Sequence, residues 1–267
     1  MSKIIPGELI AKGGTSNIYQ YGESAVLKLA KPDFPNKYME HEKNIHTIVQ
    51  ESGLPVPRLL DTVVCDGKEG LVYEKLAGHS MLDALKHNPF KIRAYSRDMA
   101  ALQKDINSCT LSGLPDYKDR LVYFINKQEF LSEVQKNTAL KNLRQMPSGE
   151  SLCHGDFHIG NIIISGGKYW IIDWMDAATG DSRADIMHSY LLLKYSIVPK
   201  NTMRSFAIYS AAISIRCAYV RHTKKITGFN LDEILEWQLP MLAARLRGTS
   251  NEYETKAILK KIKSLEI

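Results

Sequence analysis

The stretch that decides the fold runs His154-Gly155-Asp156-Phe157-His158-Ile159-Gly160-Asn161. It places an acid five residues before an asparagine, and a second acid, Asp173, follows two short apolar runs. These runs, at residues 162–164 and 169–172, are β-branched or aromatic and are separated by Ser165-Gly166-Gly167-Lys168. The pattern predicts a tight β-hairpin.

The register of this hairpin decides which side chains meet at its open end. If residues 166–167 are the centre of a primed turn, Asn161 falls opposite Ile172. Asn161 and Asp173 then lie at the same end of the hairpin. An amide oxygen and a carboxylate are hard ligands, suited to a Mg²⁺ ion that keeps waters and phosphates in its other positions. We therefore expect Asn161 and Asp173 to hold Mg²⁺.

Asp156 lies on the loop just before the hairpin. Its spacing from Asn161 and Asp173 matches the pattern with which kinases hold Mg²⁺ and aim a hydroxyl at ATP. Each residue alone would fit an ordinary turn or strand end, but the combination predicts phosphoryl transfer with Asp156 as the catalytic residue. His154, two residues earlier, is expected to support the loop by hydrogen bonding rather than to transfer protons.

These motifs resemble those of the aminoglycoside phosphotransferase and choline kinase superfamily, small-molecule relatives of the protein kinases. The resemblance covers roughly residues 8 to 195 and includes further segments: Glu42, residues 54–60, Ile172-Asp173-Trp174, Gly180-Asp181 and Asp185-Ile186. It implies an α+β, two-lobed protein-kinase-like fold. A small N-terminal antiparallel sheet lobe with one helix would precede a larger, mostly helical C-terminal lobe. It also implies ATP as the phosphoryl donor.

The chain is long enough for two lobes, because 267 residues with 44% apolar content can bury a sizeable core. We expect an N-terminal nucleotide-binding lobe at 1–74, a hinge at 75–79, and a helical C-terminal lobe with the catalytic loop and acceptor site at 80–267. Strands are expected at 8–12, 17–21, 25–29 and 71–74, with a helix at 37–51. Further helices are expected at 80–86, 91–108, 117–136, 184–195, 201–222, 231–246 and 252–265.

Lys28 is the one charged residue of an apolar strand, on the face that it shares with Val26. A lysine in that position needs an anion, and the kinase pattern supplies the ATP phosphates and Glu42. Glu42 lies on the apolar face of the helix at 37–51, so we expect it to form an ion pair with Lys28. Glu40 is the alternative partner if the register of the helix differs.

The turn Gly13-Gly14-Thr15-Ser16 is a candidate cover for the nucleotide. Its glycines allow the backbone to approach phosphates, and Thr15, Ser16 and nearby amides can donate to their oxygens. The turn lacks both G-x-G-x-x-G and a Walker A pattern. Its position before Lys28 is therefore what supports the prediction.

The hinge is expected to hold the adenine ring through its backbone, as the family resemblance implies. One carbonyl would accept from the adenine amino group and one N–H would donate to the ring. By position these groups belong to Glu74 and Leu76. Because backbone groups would make these hydrogen bonds, the side chains do not identify the residues, and the assignment to Glu74 and Leu76 can shift by one position.

The net charge of +6 is compatible with nucleic acid as a partner. The basic residues are scattered, however, and their densest group has near-helical spacing in a terminal helix: Lys256, Lys260, Lys261 and Lys263. The start is too short and polar for a signal peptide, and no apolar run approaches a membrane span. We expect a cytoplasmic monomer or homodimer that binds ATP and a small-molecule hydroxyl acceptor, but neither nucleic acid nor membrane.

The acceptor is not specified by the sequence, and in the resembling family it ranges over aminoglycosides, amino alcohols and sugars. A polycationic acceptor would need acids, for which the candidates are Asp176, Asp181, Asp232, Glu233, Glu236, Glu252 and Glu254. A sugar or amine could instead stack on aromatic rings, namely Tyr190, Tyr195, Tyr219 and Trp237. Surface exposure and core packing are the simpler explanations for both sets. A non-catalytic nucleotide sensor and a protein kinase stay open as alternative functions, although the chain has neither A-P-E nor D-F-G.

Overall fold

The computed structural model describes residues 6–196, 203–246 and 252–265. The chain forms two compact units, one of Met1–Met81 with Gly160–Asp176 and one of Leu82–Ile159 with Ala177–Ile267. The expected fold class is confirmed, because an N-terminal antiparallel sheet with one helix precedes a mostly helical C-terminal region. The lobe boundaries at 74 and 80 stay a prediction.

The first unit contains a five-stranded antiparallel sheet. Its strands are β1 Leu9–Lys12, β2 Ser16–Tyr21, β3 Ala25–Ala30, β4 Leu59–Cys65 and β5 Lys68–Glu74. They lie in the order β1-β2-β3-β5-β4. The turn between β4 and β5 is Asp66-Gly67, with φ angles of 46° and 78° that suit a primed hairpin turn. The expected strands are present, except that Ser16 belongs to β2 rather than to the preceding turn.

Helix α1, Lys37–Gln50, packs against β4 and β5. Its buried face carries Met39, which clusters with Leu71 and Tyr73 of β5. In the register between β3 and β5, Lys28 pairs with Leu71. Because paired residues of neighbouring strands share a face, Lys28 lies on the α1 side of the sheet.

A second, three-stranded sheet carries the predicted hairpin. Its strands are β6 Gly78–Ser80, β8 Ile162–Ser165 and β9 Lys168–Ile171, in the order β6-β8-β9. Ser165 pairs with Lys168 as the primed-turn register predicts. Gly166 and Gly167 have φ angles of 58° and 74°, which glycine adopts without the cost of a Cβ clash. The hairpin prediction is therefore confirmed.

The second unit combines one small strand pair with helices. Strand β7, Ser151–Cys153, pairs antiparallel with β10, Ala178–Gly180. The helices are α2 Met81–His87, α3 Ile92–Asn107, α4 Tyr117–Asn126, α5 Glu133–Gln145, α6 Ser182–Tyr195, α7 Met203–Thr227, α8 Leu231–Leu235, α9 Gln238–Arg245 and α10 Glu252–Lys263, with a 3-10 turn at Pro89–Lys91. Helix α3 packs along α7, while α4 and α5 pack against α9. The first two residues of the helix predicted at 201–222 lie outside the described residues.

Two of the predicted helices are wrong as continuous segments. The one expected at 117–136 ends at Asn126, and α5 begins after Ser132, whose side chain forms a capping box with Gln135. The one expected at 231–246 divides into α8 and α9. Pro240 lies in the first turn of α9, where its missing N–H costs no hydrogen bond, but it could not donate to Glu236 in a continuous helix.

Within the described ranges, no helix has both the length and the apolar character that crossing a bilayer requires. The four cysteines are free thiols rather than disulfides.

Candidate functional site

A buried lysine of the first unit lies between two carboxylates. Lys28 Nζ is 2.7 Å from Glu42 Oε1 and 2.9 Å from Asp173 Oδ1. The Glu42 side chain is almost fully buried, whereas that of Asp173 is 44% exposed and so accessible to a ligand. The predicted pair of Lys28 with Glu42 is therefore present, and Glu40 is not the partner. The contact with Asp173 adds a second carboxylate that the sequence did not predict.

Burial and the neighbouring charges shift the pKa values of this cluster in opposite directions. Burial disfavours the charged lysine, but the charges of Asp173 and Glu42 outweigh it and raise the pKa of Lys28 above its usual range. Burial raises the pKa of Glu42, and the charge of Lys28 opposes that rise. Lys28 consequently keeps its positive charge at physiological pH, which is the property that binding of an anion requires.

Tyr73 and His46 support Glu42. Tyr73 Oη donates to Glu42 Oε1 at 3.1 Å, and burial together with this carboxylate raises the pKa of Tyr73, so the hydroxyl stays protonated. The His46 ring packs edge-on against Tyr73, with ring centroids 4.8 Å apart. His46 Nε2 is 2.8 Å from the Pro57 carbonyl, to which it must donate. Burial lowers the pKa of His46, so this imidazole is held neutral.

Asp173 adopts an unusual backbone conformation just after β9. Its φ angle is +65°, a left-handed geometry that few residues other than glycine adopt and that aspartate tolerates. The following Trp174 is fully buried, and its Nε1–H donates to the Ile171 carbonyl at 3.0 Å. Asp173 is therefore exposed at this left-handed position, while the neighbouring Trp174 is anchored in the core. Such a conformation is often retained where a side chain must be aimed at a ligand.

Asn161 and Asp173 flank the end of the hairpin, as its register predicts. The Ile172 N–H donates to the Asn161 carbonyl at 3.0 Å, and the Asn161 side chain is nearly buried. Asp173 faces Lys28 through Oδ1. In the described part of the chain, no three residues among histidine, cysteine, aspartate and glutamate form a metal cluster. One carboxylate and one amide nevertheless fit Mg²⁺, whose other ligands are typically waters and phosphates.

The loop after β7 is fixed by Asp185, a fully buried residue in the first turn of α6. Asp185 Oδ1 accepts the Gly155 N–H at 2.9 Å. Its Oδ2 accepts from Gln103 Nε2 at 2.9 Å and from Asn107 Nδ2 at 3.1 Å, both on α3. The Asn107 amide also donates to the Leu152 carbonyl at 2.9 Å. A buried network of amides and one carboxylate thus holds the backbone immediately before Asp156.

Three histidines of the second unit act on Asp156. His154 is fully buried and its Nδ1 accepts the Asp156 N–H at 3.3 Å, as expected of a residue that supports the loop. His158 Nε2 lies 3.7 Å from Asp156 Oδ2. Burial favours a higher pKa for the Asp156 carboxyl, but the contact with His158 and the charges of His158, His188 and His154 prevail and lower it. Asp156 is therefore ionised at neutral pH.

The predicted nucleotide turn is closed by its own backbone. The Gly13 N–H donates to the Ser16 carbonyl at 2.8 Å, and the Lys31 N–H donates to the Thr15 carbonyl at 3.0 Å. Thr15 is half-buried, whereas Ser16 is buried at the start of β2. Thr15 therefore has the more accessible hydroxyl, and a role for either residue at the phosphates stays a prediction.

At the predicted hinge, the Glu74 backbone N–H donates to the Arg58 carbonyl at 3.0 Å, and the Leu76 carbonyl accepts the Gly78 N–H at 2.9 Å. These two bonds use neither the Glu74 carbonyl nor the Leu76 N–H, the groups that the sequence assigns to adenine. Binding of adenine at these positions stays a prediction.

Four of the candidate acceptor residues have structural roles. Asp181 caps α6 and pairs with Arg183 at 2.6 Å, and the buried Glu254 pairs with Arg245 at 2.6 Å. Tyr219 and Trp237 are buried in the core. These four residues therefore fit the simpler structural explanations.

Three residues around Glu42 and Asp156 were not assigned a role from the sequence. Tyr73, His158 and His188 contact or act on Glu42 and Asp156. His158 gave one signal, because it lies two residues after Asp156. Tyr73 and His188 gave none, since their contacts join distant parts of the chain.

The chain belongs to the phosphotransferase enzyme family, whose model matches residues 8–212. This match covers both the Lys28 cluster and the Asp156 loop. No curated protein matches the sequence.

Three solved structures have similar folds. A thermostable variant of aminoglycoside phosphotransferase APH(4)-Ia, in ternary complex with ADP and hygromycin B, has a TM-score of 0.69 at 13% identity, covering 96% of this chain and 92% of its own. Amicoumacin kinase hAmiN, in complex with AMP-PNP, Ca²⁺ and Ami, has a TM-score of 0.59 at 15% identity, covering 97% and 87%. A choline/ethanolamine kinase family protein from Mesorhizobium loti has a TM-score of 0.57 at 14% identity, covering 97% and 87%. At such identities, the likeness establishes the shared fold.

Proposed function

We propose that the protein transfers the γ-phosphoryl group of ATP to a hydroxyl of a small molecule. The observation that carries the proposal is the buried Lys28, held at 2.7 Å from Glu42 and 2.9 Å from Asp173 in a chain of the phosphotransferase family. A strand lysine paired with a helix glutamate is what kinases use to hold nucleotide phosphates. The same lysine in a purely structural pair would not need the exposed Asp173 as a second partner.

On the nucleotide side, Lys28 would donate to the phosphates while Glu42 and Tyr73 hold the lysine in place. Asn161 and Asp173 would hold Mg²⁺, which when bound supplies positive charge to the phosphate oxygens. The ion pair between Asp173 and Lys28 would then weaken as Asp173 binds the cation. Thr15 and Ser16 are assigned to the phosphates, and the backbone of Glu74 and Leu76 to adenine.

On the acceptor side, Asp156 would orient the hydroxyl and take its proton. Its carboxyl has a lowered pKa, so it is in the ionised form that accepts a proton at neutral pH. Asp185 would keep the loop in position through the Gly155 N–H. Phosphoryl transfer passes through a loose transition state, so positioning and charge, rather than covalent catalysis, supply most of the rate.

For the acceptor, we propose an aminoglycoside, an amino alcohol or a sugar-like hydroxyl compound. The named ligands and classes of the similar structures support this range, from hygromycin B to the choline/ethanolamine kinase family. We further propose that the protein acts in the cytoplasm as a monomer or homodimer. A role in antibiotic resistance would follow only from an antibiotic acceptor.

The test is ATP consumption with Mg²⁺ across a panel of aminoglycosides, amino alcohols and sugars. We expect at least one acceptor to support turnover, and Asp156→Ala to abolish it. Asp105→Ala, which removes an exposed acid of α3, is the matched control and should retain turnover. Binding of ATP without turnover on any acceptor would contradict the proposal and favour a nucleotide sensor of the same fold.

A further inference from the structure

His158 is the ionisable side chain that the structure places beside the Asp156 carboxylate on the same loop. Its Nε2 lies 3.7 Å from Asp156 Oδ2, and the two side chains are 31% and 33% exposed. At this partial exposure, a charge pair is screened less than at an open surface. The distance allows the imidazole to tighten onto the carboxylate when a ligand excludes water, as apo contacts in active sites commonly do.

The other two histidines that act on Asp156 make different hydrogen bonds. His154 is fully buried and uses Nδ1 to accept the Asp156 backbone N–H, so it fixes the backbone rather than the carboxylate. His188, on α6, has its Nδ1 at 3.2 Å from the Tyr117 hydroxyl of α4. Asp185, also on α6, faces the Gly155 N–H. His158 Nε2, by contrast, lies within ion-pair distance of the carboxylate itself, 3.7 Å from Asp156 Oδ2.

We propose that His158 is a positioning residue, which holds the Asp156 carboxylate in the orientation that receives the acceptor proton. This inference rests on the proposed function of Asp156. In the reaction, the acceptor oxygen bonds to the γ-phosphorus while the bond from that phosphorus to the β-γ bridging oxygen breaks, releasing ADP. The hydroxyl proton passes to the Asp156 carboxylate, and His158 stays bound to the same side chain without giving up its own proton.

The lowered pKa of Asp156 agrees with this role. The contact with His158 and its charge are the largest of the effects that lower it, followed by the charges of His188 and His154, against the opposing effect of burial. Removal of His158 should therefore let the pKa of Asp156 rise. A carboxylate that protonates at higher pH loses its function as a base at higher pH.

Two substitutions separate hydrogen bonding from charge. His158→Ala removes both, whereas His158→Gln retains an N–H donor near the position of Nε2 but carries no charge. We expect His158→Ala to lower kcat roughly 10- to 100-fold, because a misplaced catalytic group costs about that much, and to leave the KM for ATP unchanged. His158→Gln should recover part of kcat at high pH. In both variants, the acid limb of kcat/KM should move to higher pH.

His87, an exposed histidine at the end of α2, provides the matched control. His87→Ala should keep the kcat and the acid limb of the wild-type protein. Circular dichroism and thermal unfolding should show that all variants fold. If His158→Ala does not fold, the kcat and the acid limb of His158→Gln test the proposal instead.

A second readout needs no turnover. Titration of the Asp156 carboxyl by ¹³C NMR should show protonation at higher pH in both His158 variants than in the wild-type protein. An unchanged titration would overturn the inference even if turnover fell. If no acceptor supports turnover in the wild-type protein, the proposed function fails, and the titration still reports whether His158 acts on Asp156.

Discussion

The Lys28 cluster and the Asp156 loop handle charge in different ways. Around Lys28, two carboxylates lie within 3 Å of one ammonium group, and most of the cluster is buried. Around Asp156, the carboxylate is one-third exposed, and the His158 imidazole lies 3.7 Å from it. The first arrangement fixes a positive charge, and the second keeps a negative charge in contact with solvent.

Because of this difference, substitutions in the two groups should affect stability and activity differently. Removing one partner of a buried pair leaves an uncompensated charge, so the Lys28 cluster should respond in stability as well as in activity. The Asp156 carboxylate depends on weaker, partly exposed contacts, so substitutions there should change rate and pH dependence with little effect on stability. The backbone of the second group is held by the network of amides around the Asp185 carboxylate.

Within the Lys28 cluster, the largest effect on turnover is expected at Asp173, its exposed member. Asp173→Asn keeps the size of the side chain and tolerates a left-handed backbone, but it removes the charge that would hold Mg²⁺. We expect turnover to fall about 10²- to 10³-fold, as on loss of one transition-state charge partner. The change in stability should be small, because the buried Glu42 still compensates the charge of Lys28. Steady-state kinetics and thermal unfolding measure the two effects.

Asp66→Asn is the control for this change, because Asp66 is another exposed acid with a positive φ angle. It should behave as the wild-type protein. Turnover of Asp173→Asn within a factor of about three of wild type would remove Asp173 from the proposed metal site.

A smaller effect is expected at Asp185, behind the Asp156 loop. Asp185→Ala removes the acceptor of three donors, of which the Gly155 N–H and the Gln103 amide are buried and the Asn107 amide is part-buried. The free energy of unfolding should fall by about 3 kcal/mol, because each buried unsatisfied donor costs about 1–3 kcal/mol. Urea denaturation measures this loss, and Asp105→Ala on the surface of α3 should show none. Equal stability of both variants would contradict the role of this network.

The smallest effect is expected in the pH dependence at His46. Burial lowers the pKa of His46 in the folded state, so the unfolded chain binds its proton more readily. Stability should therefore be complete above the ordinary histidine pKa of about 6.5 and should fall as pH drops below it. His46→Gln keeps an N–H donor for the Pro57 carbonyl and cannot titrate.

The free energies of unfolding of the wild type and His46→Gln should be compared at several pH values between 5 and 8. We expect the difference to shift in favour of the variant as the pH falls. A difference that is constant with pH would mean that His46 is not held neutral by its burial.

Local patterns made much of the fold and part of the site predictable. The hairpin register followed from Gly166-Gly167, which fixed the positions of Asn161 and Asp173. The inward-facing positions of Lys28 and Glu42 followed from strand alternation and helical spacing, and the kinase pattern supplied their pairing. The register and these positions depend on periodicity within about a dozen residues, which the sequence displays directly.

Long-range contacts and helix interruptions were not predictable in the same way. Lys28 and Asp173 are 145 residues apart, so no local spacing indicates their contact. Apolar periodicity continued across residues 127–132 and hid the end of α4, while the capping box at Ser132 could have revealed the start of α5. The imidazole of His188 acts on Asp156 only because the tertiary fold brings them together.

Whether Lys28 serves nucleotide binding and Asp156 serves phosphoryl transfer is tested most directly by comparing Lys28→Met with Asp156→Asn in one experiment. Calorimetric affinity for MgATP and steady-state turnover should be measured for both, and the double variant Lys28→Met with Glu42→Gln controls for the buried charge left by the single change. We predict that Asp156→Asn retains nucleotide affinity and loses about 10²- to 10⁴-fold in turnover, whereas Lys28→Met loses affinity as well. Equal loss of affinity in the two variants, or undiminished turnover in Asp156→Asn, would contradict the separation of nucleotide binding from phosphoryl transfer.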